Sequence, residues 1–334
     1  MKKLISLMLA LIMVFSLATV ASATEPTEGV DKLTFTKKYE VSGGTTTPSE
    51  TITFDVKEVE GNPETGKKIV INPVTITGVS NDVVITLPTY TKVGVYTYTV
   101  TEVAPNPESQ GVKYSETPFN VKVLVAYNDE HTGFVTEIVF ASETEDGKIQ
   151  SFTNTYELGS LAINKQVTGN LGDKSKEFNV TVTFTATDTV RSDITYSSDI
   201  DQTDAAANGT IAKGWSGEKA VTINLKHGET VTFSNIPAGV TYEVVEDDYT
   251  QDGKNSVNGY DDAMYSLNNA EASTAVVKDN IAASDTDKVV ITNNKAESVQ
   301  TGIVTDSAPY IILIAVCAVA AVAFVLKRRN AVEF

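Results

Sequence analysis

The feature of this sequence that most restricts its fold is a series of strand-like runs that occurs twice in the same order. Runs rich in Thr, Val, Ile and Tyr alternate between apolar and polar residues with a period of two, and Gly, Pro, Asn and Asp separate them. The two halves open with LTFTK and LAINK, continue with VYTYTVTE and VTYEVVE, and close with SFTNTY and VVITNNK. Three matched stretches in one order indicate two copies of one domain, meeting near Leu158-Gly159-Ser160. We therefore predict an all-β chain of two tandem antiparallel β-sandwiches.

Three polar residue types lie on the apolar face of these predicted strands, in both halves. Residues two apart in a strand share a face. On that parity, a lysine, a glutamate and an asparagine each continue an apolar run, at Lys37, Glu102, Asn154, Lys165, Glu246 and Asn293. A single such residue can end its strand and reach solvent. The same three types with the same parity in both halves favour a shared chemical role instead.

Burial gives these three residue types a specific chemistry. It lowers the pKa of a lysine and raises that of a glutamate, because both side chains lose their hydration. A neutral amine is a nucleophile, and a protonated carboxyl can polarise a neighbouring amide and shuttle protons. Held together, a lysine and an asparagine can condense to an isopeptide bond and expel ammonia, and their fixed proximity supplies the rate.

The two ends of the chain indicate export. Lys2 and Lys3 precede an apolar run that ends in Ala21-Ser22-Ala23, the pattern of a secretory signal peptide cleaved after Ala23. Residues 308–326 carry no charge and are followed by the basic run KRR, which predicts a transmembrane helix with a cytoplasmic tail.

Composition excludes several classes of function. A net charge of −17 argues against a nucleic-acid partner. The single cysteine, Cys317, lies in the predicted membrane helix, so the exported part has no disulfide. The two histidines, His131 and His227, stand in separate turn-like stretches, and no zinc spacing or nucleophile elbow is present. We expect no enzyme of conventional type, no cofactor and no metal site.

Over nearly its whole length the chain resembles the backbone (shaft) pilins of Gram-positive bacteria, in particular the streptococcal type with two pilin isopeptide-linkage domains. The resemblance implies two tandem Ig-like, Cna B-type sandwiches, each with a self-formed Lys–Asn bond promoted by a glutamate. Matched by motif, the bonds are Lys37–Asn154, promoted by Glu102, and Lys165–Asn293, promoted by Glu246. The neighbouring Lys38 and Asn294 fall on the opposite strand faces.

The resemblance also makes the C-terminal segment a sorting signal. In this family a sortase cleaves between the threonine and glycine of a five-residue motif, here SVQTG, so the expected bond is Thr301–Gly302. Gln300 stands where the family usually has proline, which favours a dedicated pilin-polymerising sortase. The acceptor amine of the next subunit is expected at Lys148, in EDGKIQSFTN just upstream of Asn154.

These expectations divide the chain into a signal peptide (1–23), a short leading segment (24–30), two sandwiches (31–157 and 158–297), the sorting motif (298–302), the membrane helix (308–326) and a basic tail (327–334). The expected function is a major pilin of the cell surface, anchored in the membrane as a precursor. Its expected partners are copies of itself, a pilin-type sortase, ancillary pilins and peptidoglycan. A wall-anchored adhesin or an ancillary tip or base pilin is the alternative, and any host or cell-surface receptor stays open.

Overall fold

The computed structural model describes residues 32–129, 131–142, 151–250 and 259–296. Every regular element in these ranges is a β-strand, which confirms the predicted all-β class. The strands of the first half are β1 Lys32–Ser42, β2 Thr51–Glu58, β3 Val70–Ile71, β4 Val74–Thr75, β5 Ser80–Thr86, β6 Gly94–Val103, β7 Val112–Lys113, β8 Phe119–Tyr127, β9 Phe134–Ser142 and β10 Ser151–Thr168. Those of the second half are β11 Phe178–Val190, β12 Ile194–Ser198, β13 Gly209–Ile211, β14 Trp215–Leu225, β15 Thr230–Pro237, β16 Thr241–Glu246, β17 Met264–Leu267, β18 Val277–Asn280 and β19 Thr286–Asn294.

The strands form two sandwiches that share β10. In the first sandwich, a sheet that contains β1, β5 and the start of β10 faces a sheet of order β4-β2-β6-β8-β9. In the second, the end of β10 pairs with β15 and β19 and faces a sheet of order β14-β11-β16-β18. Apolar side chains fill the space between the facing sheets.

Strand β6 shows how the alternating sequence builds the first core. Tyr96, Tyr98 and Val100 point inward and are fully buried, whereas Thr97 and Thr99 lie on the other face. Glu102 continues the inward series and is only 7% exposed. The strand thus carries a carboxyl group into a face that is otherwise apolar, as its parity predicts.

The first and last strands of each sandwich are parallel neighbours. Strand β1 pairs with the start of β10, and the end of β10 pairs with β19, both in parallel register. Neighbouring strands lie about 4.8 Å apart, so side chains from the two chain ends of each sandwich come within reach of one another. The remaining strand pairs of both sandwiches are antiparallel.

Strand β10 contributes side chains to both cores because its inward-facing positions change once from even-numbered to odd-numbered residues. Along β10 the buried positions are even-numbered up to Leu158 and odd-numbered from Gly159 onward. The register against β15 shifts between Gly159 and Leu161. A Cβ at Gly159 would lie 2.5 Å from the carbonyl oxygen of Ala282, so the close approach at this irregularity requires glycine. The first sandwich is therefore joined to the second by continuous strand rather than by a flexible linker.

A segment between β6 and β7 also connects the two sandwiches. Ser109 forms an isolated parallel bridge with Thr189, and the Gln110 side chain donates to the Ala238 carbonyl at 2.9 Å. The Tyr156 and Ser192 hydroxyls are hydrogen-bonded at 2.6 Å in buried surroundings. These bonds favour one relative orientation of the sandwiches.

Candidate functional sites

The first candidate site lies between the two sheets of the first sandwich. In the parallel pair of β1 and β10, Lys37 stands opposite Phe152 and Asn154 stands opposite Tyr39. Lys37 and Asn154 are therefore diagonal neighbours on one inward face. Strand β6 of the facing sheet brings Glu102 against both of them.

Glu102 contacts the other two members of this site through its two carboxyl oxygens. Its Oε2 lies 3.2 Å from Lys37 Nζ, and its Oε1 accepts a hydrogen bond of 2.6 Å from Asn154 Nδ2. The Asn154 side-chain oxygen accepts the backbone N–H of Ser115 at 2.9 Å, a donor that would stabilise negative charge on that oxygen. Lys37 and Asn154 have no solvent exposure.

The second sandwich repeats this arrangement. Lys165 stands opposite Ile291 and Asn293 stands opposite Val167 in the parallel pair of β10 and β19, the same diagonal offset as in the first site. Glu246 comes from β16 of the facing sheet, with Oε1 2.9 Å from Lys165 Nζ. Lys165 Nζ also donates to the Asn293 side-chain oxygen.

Burial moves the pKa values at both sites toward the neutral forms of the side chains. It lowers the pKa of Lys37 from 10.5 to about 8, although the neighbouring Glu102 charge opposes the change. Burial raises the pKa of Glu102, against the opposing effect of Lys37. The pKa of Lys165 is lowered and that of Glu246 is raised for the same reason. A neutral amine and a neutral carboxyl are the forms that amide condensation requires.

The aromatic surroundings of the two lysines differ. Lys37 Nζ lies 4.8 Å from the centre of the Tyr39 ring, and Lys165 Nζ lies 4.3 Å from that of Phe178. Tyr39 also accepts a hydrogen bond of 3.2 Å from Asn154 Nδ2. The sequence comparison of the two halves did not find this tyrosine because its counterpart is Val167. The only sign of Tyr39 in the sequence was its position two residues after Lys37, which places both side chains on the same strand face.

Comparison with proteins of known identity shows which family the chain belongs to. A curated protein named Pilin from Streptococcus pyogenes serotype M1 is 32% identical over 249 residues, which cover 73% of this chain and 70% of that protein. The chain belongs to the pilin family. The family predicted from the sequence is thereby confirmed. Residues 33–157 of this pilin match a family described as the Spy0128-like isopeptide containing domain, and residues 159–295 match a domain of unknown function.

Solved structures of major pilins share the fold of this pilin. The crystal structure of the major pilin from Streptococcus pyogenes is 26% identical, with a TM-score of 0.52, and the match covers 81% of this chain and all of that one. A second Streptococcus pyogenes major pilin, 21% identical with a TM-score of 0.52, matches 79% of this chain and 98% of its own and supports the fold alone.

Several residues singled out from the sequence lie outside the described ranges. These are Lys148, Thr301 and Gly302, together with the predicted signal peptide and the predicted membrane span. Within the ranges that are described, no helix is long and apolar enough to cross a membrane. The same ranges contain no group of three or more His, Cys, Asp or Glu side chains arranged to hold a metal ion.

The pKa of Lys37 predicts how the stability of a variant without Asn154 responds to pH. In an Asn154→Ala variant, the unfolded chain binds a proton on Lys37 between pH 8 and 10.5 that the folded chain does not bind. Since stability rises with pH wherever the unfolded state binds more protons, the free energy of unfolding should increase across this window. The slope from this one group is at most about 1.4 kcal/mol per pH unit.

Chemical denaturation of Asn154→Ala at several pH values measures this slope, with Lys37→Met/Asn154→Ala as the matched control. The difference between the two variants isolates Lys37 from the other titrating groups. An equal pH dependence in both variants would show that Lys37 has its ordinary pKa.

Proposed function

We propose that this pilin is the major (backbone) subunit of a Gram-positive surface pilus, and that a self-formed isopeptide bond braces each of its sandwiches. The bonds join Lys37 to Asn154 and Lys165 to Asn293, promoted by Glu102 and Glu246. The observation that carries the proposal is the recurrence of one buried Lys–Glu–Asn cluster, with the same strand offset, in both sandwiches.

Each bond forms by one intramolecular condensation. The glutamate takes a proton from the lysine, which leaves a neutral amine beside a neutral carboxyl. Lys Nζ then attacks Asn Cγ, the Cγ–Nδ2 bond breaks, and the departing nitrogen takes up one amine proton and leaves as ammonia. The glutamate carries protons between the two nitrogens, and it returns to a carboxylate when the proton it took from the lysine leaves with the ammonia as ammonium. The reaction occurs once per site, so the chain is not an enzyme in the ordinary sense.

Polymerisation proceeds through a second kind of amide bond. A pilin-type sortase cysteine displaces the Gly302 amine and holds Thr301 as a thioester. The Lys148 amine of the next subunit then displaces the cysteine, which joins the two subunits covalently. Before this step residues 308–326 anchor the precursor in the membrane. The proposed partners are copies of this chain, a pilin-type sortase, ancillary pilins and peptidoglycan.

The domain limits proposed from the sequence, 31–157 and 158–297, are supported by the change of inward parity at Leu158 and Gly159. The absence of cysteine from the exported part agrees with cross-linking by amide bonds instead of disulfides. These bonds are not reduced by thiols, which suits a fibre outside the cell.

The ladder of covalent multimers in wall extracts tests the polymerisation. In a Gram-positive cell whose pilin-type sortase processes the wild-type chain, Lys148→Ala should leave only monomer, because no acceptor amine is present. Thr301→Ala should also abolish the ladder, and in addition it should keep the chain in the membrane fraction. Immunoblots after boiling in detergent distinguish covalent multimers from aggregates.

Lys122→Ala is the matched control, since Lys122 is an exposed lysine on β8. It should give a normal ladder. Multimers formed by Lys148→Ala would place the acceptor at another lysine. Multimers formed by Thr301→Ala would overturn the sorting assignment.

A further inference from the structure

The first site contains a hydrogen-bonded chain that the condensation mechanism does not use. The Tyr39 hydroxyl accepts the Asn154 Nδ2 hydrogen bond at 3.2 Å and itself donates to Glu50 Oε1. Glu50 lies in the segment between β1 and β2 and is 4% exposed. The chain runs from the amide nitrogen that would leave as ammonia to a second buried carboxyl.

Glu50 is held in place from three sides. In addition to Tyr39, the hydroxyls of Ser109 and Tyr114 both donate to its Oε2, Tyr114 at 2.7 Å. Ser109 and Tyr114 belong to the segment between β6 and β8, and Ser115 of the same segment supplies the N–H that contacts the Asn154 oxygen. A carboxyl with three donors has little rotational freedom, so it fixes the direction of the Tyr39 O–H.

This network determines the orientation of the reacting amide. The Asn154 Nδ2 has two N–H groups, and one donates to Glu102 at 2.6 Å while the other donates to Tyr39. The amide oxygen accepts from Ser115. All three polar positions of the amide are thus occupied, and a rotation that exchanged its oxygen and nitrogen would break each contact.

Among the described residues of the second site, no tyrosine takes the place of Tyr39. Val167 occupies the position of Tyr39, opposite Asn293 in the same parallel register, and its side chain has no polar atom. There the Asn293 oxygen accepts directly from Lys165 instead. The two sites therefore share a lysine, a glutamate and an asparagine but orient the asparagine amide by different contacts.

We propose that Tyr39 and Glu50 are positioning residues for the Lys37–Asn154 condensation, with Glu50 acting through Tyr39. The inference rests on the proposed isopeptide function and adds two residues to one of its two sites. Tyr39 presents the asparagine with its leaving nitrogen toward Glu102 and its oxygen toward Ser115. Lys37 Nζ then forms the new bond to Cγ as ammonia departs. Effective molarity depends on this kind of alignment, so loss of the hydroxyl slows the reaction without removing a reacting group.

The test measures the rate of each condensation separately in one chain. The full chain is synthesised in a sortase-free cell-free system with detergent, translation is stopped, and samples are digested at intervals. Mass spectrometry follows the cross-linked peptides that contain Lys37–Asn154 and Lys165–Asn293. The second site serves as an internal control for folding and recovery in every sample.

Tyr39→Phe keeps the ring beside Lys37 and removes only the hydroxyl. We expect the first condensation to slow by about tenfold, the equivalent of one hydrogen bond in the barrier, while the second keeps its wild-type rate. Glu50→Ala should slow the first site similarly. Glu50→Gln should keep most of the wild-type rate at the first site, because the glutamine side-chain oxygen still accepts a hydrogen bond from Tyr39.

Tyr114→Phe separates positioning from structural support. It removes a hydroxyl that donates to Glu50 Oε2 rather than to Asn154, so the first condensation should stay near its wild-type rate. An unchanged first-site rate in Tyr39→Phe would overturn the positioning role while leaving the isopeptide proposal intact. If Tyr114→Phe and Tyr39→Phe slow the first condensation equally, the network only supports the local structure and the positioning role of Tyr39 is wrong. A wild-type chain that never cross-links Lys37 to Asn154 would overturn both proposals.

Discussion

A Glu102→Ala chain spanning residues 24–301 should lose one ammonia on folding, whereas the wild-type chain should lose two. Without Glu102, the contact to Lys37 Nζ at 3.2 Å and the contact to Asn154 at 2.6 Å both disappear. No group then takes the lysine proton or delivers one to the leaving nitrogen. Intact mass spectrometry of protein made without sortase measures the loss, and peptide mapping assigns the remaining bond to Lys165–Asn293.

The same variant should be much less stable than the wild type. On the chain-entropy account of cross-links, closing a loop of about 100 residues stabilises the folded state by about 4.7 kcal/mol. For a domain pair of this size we expect the melting temperature of the first sandwich to fall by about 10–20 °C. Scanning calorimetry at equal protein concentration would detect this as a separate, earlier transition.

Two controls make this result specific. Glu246→Ala should give the mirror outcome, with the second site unlinked and the first intact. Lys38→Ala changes the neighbouring lysine on the exposed face of β1 and should lose both ammonia molecules. If Glu102→Ala loses two ammonia molecules at the wild-type rate, the glutamate has no role in the condensation.

Strand parity, together with its recurrence in both halves, selected the lysine, glutamate and asparagine of each buried cluster. A strand has only two faces, so the inward direction of Lys37, Glu102 and Asn154 followed from the apolar residues two positions away. The second copy of the pattern distinguished a recurring cluster from an isolated strand end. The burial of all three residues follows from the same periodicity.

Contacts between distant segments could not be predicted in this way. Period-two patterns do not state which strands pair, and the expectation of antiparallel sandwiches did not include the parallel pairs that bring Lys37 beside Asn154. The parity change at Gly159 depends on close packing against Ala282, more than 100 residues away. Glu50 lies outside any strand, where alternation carries no information, and two of its three partners, Ser109 and Tyr114, also lie outside the strands.

The shared strand β10 determines how tension passes through the proposed polymer. If Lys148 is the acceptor, the load from the next subunit enters just before Ser151 and runs along β10 to Lys165. The Lys165–Asn293 bond then passes it directly to β19 and on to Thr301. Residues 166–292 are excluded from this path by the second bond. The first bond lies beside the path rather than on it, because Asn154 already belongs to the loaded strand.

Single-molecule pulling along two directions tests this load path. The chain of residues 24–301 has no cysteine, so Lys148→Cys provides a unique attachment point opposite residue 301. Pulled between these points, the wild type and Glu102→Ala should show no unfolding step. Glu246→Ala should extend by roughly 45 nm, the contour length of the released segment.

When the chain is instead attached at its N-terminus and at residue 301, the first bond bears load. Load then enters at β1 and must cross to β10, so Glu102→Ala should release the chain between Lys37 and Asn154, roughly 40 nm. The wild type should remain inextensible in this direction as well. A 40 nm step in Glu102→Ala pulled from position 148 would contradict the load path. If the load follows this path, the proposed first bond would protect its sandwich from heat and proteases, and only the proposed second bond would bear tension in the fibre.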